Sequence, residues 1–165
     1  MRVPATPPGP DAAAGIPCPG RAAAQPRHRC RAVRFVSPPG RVTALASFPG
    51  SGNTWVRHLL QQLTGLATGS IYLDTELACT GFPGENRRDG SVLVVKTHEF
   101  TRPHQYEAVV VVVRDVVAAN LAEFNRLGGG HTGRSRHLAA FPRYLRQHSH
   151  LYQGGRVYQS TCCCR

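Results

Sequence analysis

The central part of the chain alternates between short apolar runs and polar turns. Residues 42–48 form a mainly apolar run that ends in a Pro-Gly-Ser-Gly turn, which is typical of a buried strand leading into a glycine loop. Residues 91–96 and 108–113 are two further runs, rich in valine and too short for helices. Their β-branched composition predicts two more buried parallel strands.

Two other segments carry apolar residues at helical spacing. The first spans Asn53 to Thr64, stops at Gly65, and places five apolar residues on one stripe: Trp55, Val56, Leu59, Leu60 and Leu63. The second repeats the spacing from Val117 to Leu127 and ends in a triple-glycine segment at 128–130. The order strand, loop, helix, strand, strand, helix predicts an α/β fold, a parallel sheet flanked by helices.

The two ends of the chain differ from the central part in amino-acid composition. Residues 1–40 are dominated by Pro, Ala, Gly and Arg and predict a disordered leader, followed by one domain over 41–152. Residues 153–165 form an irregular tail that contains three adjacent cysteines, Cys162, Cys163 and Cys164. These could be acylated or form intermolecular bridges, but we favour a short tail of accidental sequence.

The charge of the chain narrows the class of partner. The formal net charge is +11, from 20 basic and 9 acidic residues, and Lys96 is the sole lysine. An arginine surplus favours anionic partners such as nucleic acid, anionic glycans or phosphorylated nucleotides, although a biased base composition of the gene explains it equally well. Nucleic acid is not expected, because interleaved aromatic residues and a recognised binding module are lacking.

No targeting or metal signal stands out in the sequence. The longest apolar stretch is far shorter than the roughly 20 residues of a membrane span, and the N-terminal residues lack the apolar core of a signal peptide. The cysteines show no metal-binding spacing, so we expect neither a metal site nor a membrane segment in this chain.

The loop Pro49–Thr54 is the first candidate for chemistry. It joins a strand to a helix, so that backbone N–H groups and a helix N-terminus meet where phosphates bind in many proteins. Gly50 and Gly52 permit close approach of an anion, and the side chains of Ser51, Asn53 and Thr54 add hydrogen-bond donors. The loop lacks both the Gly-Lys-Ser/Thr of a Walker motif and the third glycine of a dinucleotide fingerprint. An ordinary glycine turn is the alternative.

Two further polar motifs follow valine-rich strands. Lys96-Thr97-His98 is expected at the same carboxyl edge of the sheet as the loop, where ligands bind in open α/β sheets. A histidine there can accept a proton near neutral pH, and a lysine can neutralise developing charge. Arg114-Asp115 follows the last strand, and Arg114 could hold a second phosphate. Solvated polar clusters at strand ends are the alternative in both cases.

The order of these motifs resembles the sulfotransferase superfamily. The resemblance covers residues 43–133 and is carried by residues 47–55, 96–98 and 113–115. Residues 44–57, together with 69–77 and 81–86, are more specifically similar to the WSC-domain-containing sulfotransferases. This resemblance implies a P-loop-type sheet that is incomplete at the C-terminus, since relatives continue beyond Tyr144. The chain therefore looks like a partial one.

The resemblance also implies roles for individual residues. Ser51, Gly52, Asn53 and Thr54 would bind the 5′-phosphosulfate of the donor 3′-phosphoadenosine 5′-phosphosulfate (PAPS), and Trp55 would stack on its adenine. Further along the chain, Arg114 would hold the 3′-phosphate, His98 would act as the base on the acceptor hydroxyl, and Lys96 would stabilise the transferred sulfonate group.

Substrate and location follow from the same resemblance. The family is associated with sulfating glycans, sialic acid among them, in the Golgi membrane or lumen. Three positions depart from the superfamily pattern: a lysine is usual at Gly50, a proline at Val116 and a serine at Ala122. The main hypothesis is a PAPS-dependent sulfotransferase domain, and the alternative is a catalytically silent fragment that at most binds the nucleotide.

Overall fold

The computed structural model describes residues 33–99, 106–131 and 133–148. The strands are β1 (Thr43–Ser47), β2 (Gly69–Ser70), β3 (Val95–Thr97) and β4 (Ala108–Val112). The helices are α1 (Asn53–Thr64), α2 (Thr75–Cys79), α3 (Val116–Gly129) and α4 (Phe141–His148), with a 3₁₀ turn at Leu138–Ala140. Residues 1–32 of the expected leader and the whole expected tail, including its three cysteines, lie outside the described residues.

The four strands form one parallel sheet in the order β2-β3-β1-β4. Leu45 in the middle of β1 lies opposite Lys96 of β3 on one side and Val110 of β4 on the other. The predicted α/β fold, a parallel sheet flanked by helices, is therefore confirmed. Because the strands are parallel, the loops after β1, β3 and β4 leave the sheet at the same edge.

The core is packed around β1 and the loop before β3. The side chains of Ala44, Leu45 and Ala46 are buried, and so are those of Val92 and Val95. Val33 and Phe35, from a segment that the sequence pattern assigned to the leader, pack against the same core. The backbone N–H of Val36 donates to the carbonyl of Ser91 at 2.7 Å, which ties that segment to the domain.

Strand β4 differs from its prediction in burial. It is parallel as expected, but within the described strands it pairs with β1 alone and forms an edge of the sheet. The side chains of Val109, Val110 and Val111 are 52%, 49% and 50% exposed. The prediction of a fully buried strand was wrong, because a valine-rich run does not reveal whether both sides of a strand are paired.

Helix α1 has the predicted bounds but buries the opposite face. It ends at a left-handed Gly65 (φ 68°), as the glycine stop predicted. Its buried residues are Asn53, Arg57 and Gln61, whereas Trp55 is 64% and Leu63 is 77% exposed. The predicted helix is therefore confirmed, and the face that it buries is polar.

The buried polar face of α1 is held by hydrogen bonds. The Arg57 guanidinium donates to the hydroxyl and the carbonyl oxygens of Thr68, both at 3.1 Å, and it pairs with the Glu85 carboxylate. Both partners of this ion pair are almost fully buried. Burial lowers the pKa of Arg57, and the neighbouring Glu85 partly offsets that effect. Breaking one partner of such a pair costs about 3 to 5 kcal/mol, so this network fixes α1 against the segments that carry Thr68 and Glu85.

The remaining helices were partly anticipated. Asp115 caps α3, because its carboxylate accepts from the N–H of Ala118 at 2.9 Å, and Gly130 follows the helix with a φ of 74°. The predicted helix from Val117 to Leu127 is thus confirmed, one residue earlier and two later. Helices α2 and α4 were not predicted; α4 packs on α3 through the ring of Phe124 against those of Phe141 and Tyr144.

Candidate functional site

The loop after β1 presents an uncapped helix N-terminus. Gly50 (φ 75°) and Gly52 (φ 95°) both adopt left-handed conformations that favour glycine. Helix α1 starts at Asn53 with no side-chain cap among the described residues and no acidic residue in its first turn. The first N–H groups of a helix have no intrahelical acceptor and carry partial positive charge. The loop therefore offers unsatisfied donors to an anion.

Asn53 anchors this loop to the strand that precedes it. Its side-chain amide nitrogen donates to the carbonyl of Leu45 at 2.8 Å and to the hydroxyl of Ser47 at 3.1 Å. Its Oδ1 atom is buried and has no hydrogen-bond partner among the described residues. The side-chain amide nitrogen, which the loop sequence offered as a donor to an anion, instead donates to β1. Asn53 is still the first residue of α1.

Gly50 lies directly against helix α3. A Cβ atom built at this position would overlap the backbone carbonyl of Ala119 and lie 2.9 Å from the backbone nitrogen of Glu123. Such distances leave no room for any side chain, and the positive φ adds strain for L-residues. The lysine that the superfamily pattern places here therefore does not fit this backbone.

Lys96 reaches the loop from the neighbouring strand. Its Nζ atom lies 3.4 Å from the hydroxyl oxygen of Thr54, the second residue of α1. Burial lowers the pKa of Lys96, and the positive charge of Arg57 lowers it further. The carboxylates of Glu85 and Asp74 act in the opposite direction, but the net shift is downward. The amino group of Lys96 lies beside the N-terminus of α1.

His98 is held in one tautomer by the end of β1. Its Nδ1 lies 2.8 Å from the carbonyl oxygen of Ser47 and 3.3 Å from the Ser47 hydroxyl. A carbonyl oxygen can only accept, so Nδ1 carries the hydrogen and Nε2 keeps its lone pair. Burial lowers the pKa of His98, the hydrogen bond to Ser47 raises it, and nearby Lys96 lowers it. The imidazole is therefore neutral near pH 7 and basic at Nε2.

Arg114 follows β4 and is attached to the loop. Its NH1 donates to the carbonyl of Gly50 at 3.0 Å, and the rest of the guanidinium is exposed. Ala122, where the superfamily pattern has a serine, is in α3 and lines the same cavity as Arg114. An arginine in this position offers its remaining donors to a second anionic group.

These side chains surround one cavity of about 540 Å³. Of the residues predicted from the sequence, Gly52, Asn53, Thr54, Lys96, His98 and Arg114 line it. Ser51 is buried under the loop and Trp55 stacks on His58 at the exposed face of α1, so neither lines the cavity. The structure thus brings together most of the predicted residues at the carboxyl edge of the sheet.

Other residues that line the cavity were not predicted as site residues. His131 Nε2 and the Asp74 carboxylate lie 2.7 Å apart and join the start of α2 to the segment after α3. Arg126 donates to Glu123 at 2.6 and 2.7 Å on the inner side of α3. Tyr72 also lines the cavity. Asp74 and His131 are 57 positions apart, and only the folded chain shows that they meet.

The described residues therefore define an α/β sheet domain whose polar strand ends gather around the glycine loop Pro49–Thr54. Within them, no helix is long and apolar enough to cross a membrane. No protein-family model and no solved structure matches the chain.

The chain is similar to curated proteins described as WSCD family members. It is 52% identical over 114 residues to one from Drosophila melanogaster and to one from Drosophila pseudoobscura pseudoobscura, covering 68% of this chain and 35% of each relative. It is 57% identical over 94 residues to one from Aedes aegypti, covering 56% of this chain and 30% of that relative. The chain thus spans about a third of the length of the relatives it matches.

Proposed function

We propose that this chain is the donor-binding part of a sulfotransferase that uses PAPS and transfers its sulfonate group to a glycan hydroxyl. The observation that carries the proposal is the convergence of three separate motifs on one cavity: the loop Pro49–Thr54, Lys96 with His98, and Arg114. The similarity to WSCD family members agrees with the resemblance drawn from the sequence. A cavity of about 540 Å³ is within the range of small-molecule sites.

The loop suits the phosphosulfate end of the donor. Unsatisfied N–H groups at the start of α1 and the ammonium of Lys96 converge beside the Thr54 hydroxyl. A phosphosulfate presents only acceptor oxygens and negative charge, which match this set of donors. The guanidinium of Arg114, held at the same loop by Gly50, is the group we assign to the 3′-phosphate. Trp55, which the resemblance assigns to the adenine, lies outside the cavity lining, so we assign the adenine no contact within the cavity.

His98 and Lys96 then have complementary roles in an in-line displacement at sulfur. The acceptor oxygen forms a bond to sulfur while the bond from sulfur to the bridging oxygen of the 5′-phosphate breaks. His98 Nε2 takes the acceptor proton, because its Nδ1 hydrogen is engaged by Ser47. Lys96 stabilises the charge that develops on the leaving phosphate, and 3′,5′-ADP departs.

Lys96 also replaces the missing lysine of the loop. Since Gly50 cannot carry a side chain against Ala119, the bridging oxygen has to be stabilised from elsewhere. The Nζ of Lys96 is the lysine ammonium beside the loop, and it approaches from β3. The acceptor class, a glycan that includes sialic acid, and the Golgi setting are supported by the family resemblance alone.

A second candidate function is nucleotide binding without turnover. The observation that favours it is Gly50, because losing one charged stabiliser of a developing anion typically costs about 3 to 4 kcal/mol. If Lys96 does not compensate, the chain would bind 3′,5′-ADP and leave PAPS intact.

Transfer of labelled sulfonate from PAPS to sialylated glycans tests the proposal. We expect slow transfer by this chain and a further loss of about a hundredfold or more in His98→Ala, the usual contribution of a general base. His137→Ala, which removes an exposed histidine that does not line the cavity, is the matched control and should leave the rate unchanged. Transfer that does not depend on His98 would contradict the assignment of the base. Binding of 3′,5′-ADP without transfer would support the second function.

A further inference from the structure

Tyr72, two residues after the end of β2, contacts both of the residues to which the proposed function assigns chemistry. Its hydroxyl oxygen accepts a hydrogen bond from the backbone N–H of His98 at 3.0 Å. Its ring stacks on the His98 imidazole, with centroids 5.5 Å apart and planes inclined by 28°. The Nζ of Lys96 lies 5.8 Å from the centroid of the same ring, within the range of a cation–π contact.

We propose that Tyr72 is a positioning residue that sets the orientation of the His98 imidazole and the Lys96 ammonium in the cavity. The backbone hydrogen bond fixes the chain at the point where β3 ends, which is where the imidazole leaves the sheet. Ser47 holds the imidazole from the other side through Nδ1. The ring is therefore clamped between β1 and Tyr72, with Nε2 as the remaining nitrogen.

The segment that carries Tyr72 is itself fixed. The Tyr72 N–H donates to the hydroxyl of Ser70 at 3.1 Å, and its carbonyl accepts from the N–H of Asn86 at 3.0 Å. The N–H of Ile71 donates to the carbonyl of Lys96 at 3.0 Å, which extends the pairing of β2 with β3. Because this segment is fixed, the Tyr72 side chain can restrict the orientations of His98 and Lys96. Small misplacements of catalytic groups cost large factors in rate.

The hydroxyl of Tyr72 holds the His98 backbone and its ring packs on the imidazole, and two variants test these roles separately. Tyr72→Phe keeps the ring and loses the hydroxyl, so the His98 amide should exchange its hydrogen about five to ten times faster while the imidazole titration stays close to that of the wild type. Tyr72→Leu also loses the stacked ring. In that variant the His98 pKa should rise toward its ordinary value, because the imidazole becomes more hydrated.

The charges around His98 are unchanged by both substitutions. Lys96 on β3, with Glu123 and Arg126 on α3, act on the imidazole and remain in every variant. Tyr144→Phe is the matched control, because Tyr144 packs against Phe124 and His148 and does not line the cavity. It should alter neither the amide exchange nor the titration of His98.

This inference rests on the proposed function only for the catalytic role of His98. The main measurements of its position do not depend on that function. NMR titration of the His98 ring, assigned with a His98→Gln variant, and amide exchange require no substrate. In transfer assays, Tyr72→Leu should lower kcat by about tenfold to a hundredfold with little change in KM for PAPS, and should move the acid limb of the pH profile to higher pH. Tyr72→Phe should recover most of that loss.

The outcomes distinguish the two claims. If the wild type neither binds 3′,5′-ADP nor transfers sulfonate, the proposed function fails while the NMR results still decide the position of His98. If Tyr72→Leu folds and leaves the His98 titration and pH profile unaltered, the positioning role is refuted. If Tyr72→Leu does not fold, unchanged exchange of the His98 amide in Tyr72→Phe refutes it, and faster exchange supports it.

Discussion

At the scale of single residues, the site depends on a histidine that is kept neutral. His98 is partly buried, its Nδ1 hydrogen bonds to Ser47, and the ammonium of Lys96 is close by. Burial and the lysine charge disfavour the imidazolium form more than the Ser47 carbonyl stabilises it. A base must be unprotonated at the working pH, so the surroundings of His98 suit that role without a carboxylate partner.

The lowered pKa of His98 predicts a dependence of stability on pH. Above pH 6.5, the ordinary histidine pKa, the imidazole is neutral in both the folded and the unfolded chain, so protonation of His98 does not reduce the free energy of unfolding. As the pH falls from 6.5 through the lower pKa of the folded state, the unfolded chain binds the proton first and stability is lost. Urea denaturation between pH 7.5 and 5 should therefore show a shallower decline in His98→Gln than in the wild type. His58→Gln is the control, and an identical decline in all three proteins would contradict the assignment.

At the scale of the elements, the conformation of the loop after β1 depends on its close contact with α3. Gly50 and Gly52 are both left-handed, but a Cβ at Gly50 overlaps α3 whereas one at Gly52 meets no atom within 4 Å. Gly52→Ala should cost about 1 to 2 kcal/mol of folding free energy through backbone strain alone. Gly50→Ala should cost about 3 kcal/mol or more, because it also displaces α3.

Urea denaturation of the two glycine variants measures this difference directly. In variants that remain folded, calorimetry with 3′,5′-ADP should show a larger loss of affinity for Gly50→Ala, since Arg114 hydrogen bonds to the Gly50 carbonyl. Equal stability of the two variants would show that α3 does not pack on the loop as described.

Helix α1 shows what sequence periodicity can and cannot give. The spacing of apolar residues and Gly65 predicted its existence and its end. The face it buries is polar, because Arg57 finds Thr68 and Glu85 as partners and Gln61 accepts from the Thr68 N–H at 3.2 Å. Those partners come from other segments, and a pattern within one helix does not contain them.

Strand β4 shows a similar limit and leads to a further prediction. Valine content predicted the strand, but strand order decides that it lies at an edge, with Val110 half exposed. Edge strands that carry exposed apolar residues and no charge tend to pair with other chains. Val110→Lys should therefore reduce self-association of this chain in sedimentation velocity experiments, and Leu63→Lys on α1 is the control. Equal association of both variants would show that β4 is not the contact.

At the scale of the whole molecule, the parallel sheet gathers the site. The motifs at 49–54, 96–98 and 114 are far apart in sequence, and their convergence followed from a general property of parallel strands. The pair Asp74 and His131 could not be predicted, because neither follows a strand of the predicted pattern and their meeting depends on the path of α3. The sequence therefore predicted which polar motifs meet at the carboxyl edge of the sheet. It did not predict which other side chains form the walls of the cavity.

The central claim is that this cavity binds an adenosine nucleotide with phosphates at both the 5′ and 3′ positions. Calorimetry with 3′,5′-ADP, 5′-ADP and ATP tests it most directly. We expect 3′,5′-ADP to bind more tightly than the other two without magnesium, and Arg114→Ala to weaken 3′,5′-ADP selectively by about 1 to 3 kcal/mol. Arg143→Ala, which removes an exposed arginine of α4, is the charge-matched control. Equal or tighter magnesium-dependent binding of ATP, unaffected by Arg114→Ala, would contradict the account.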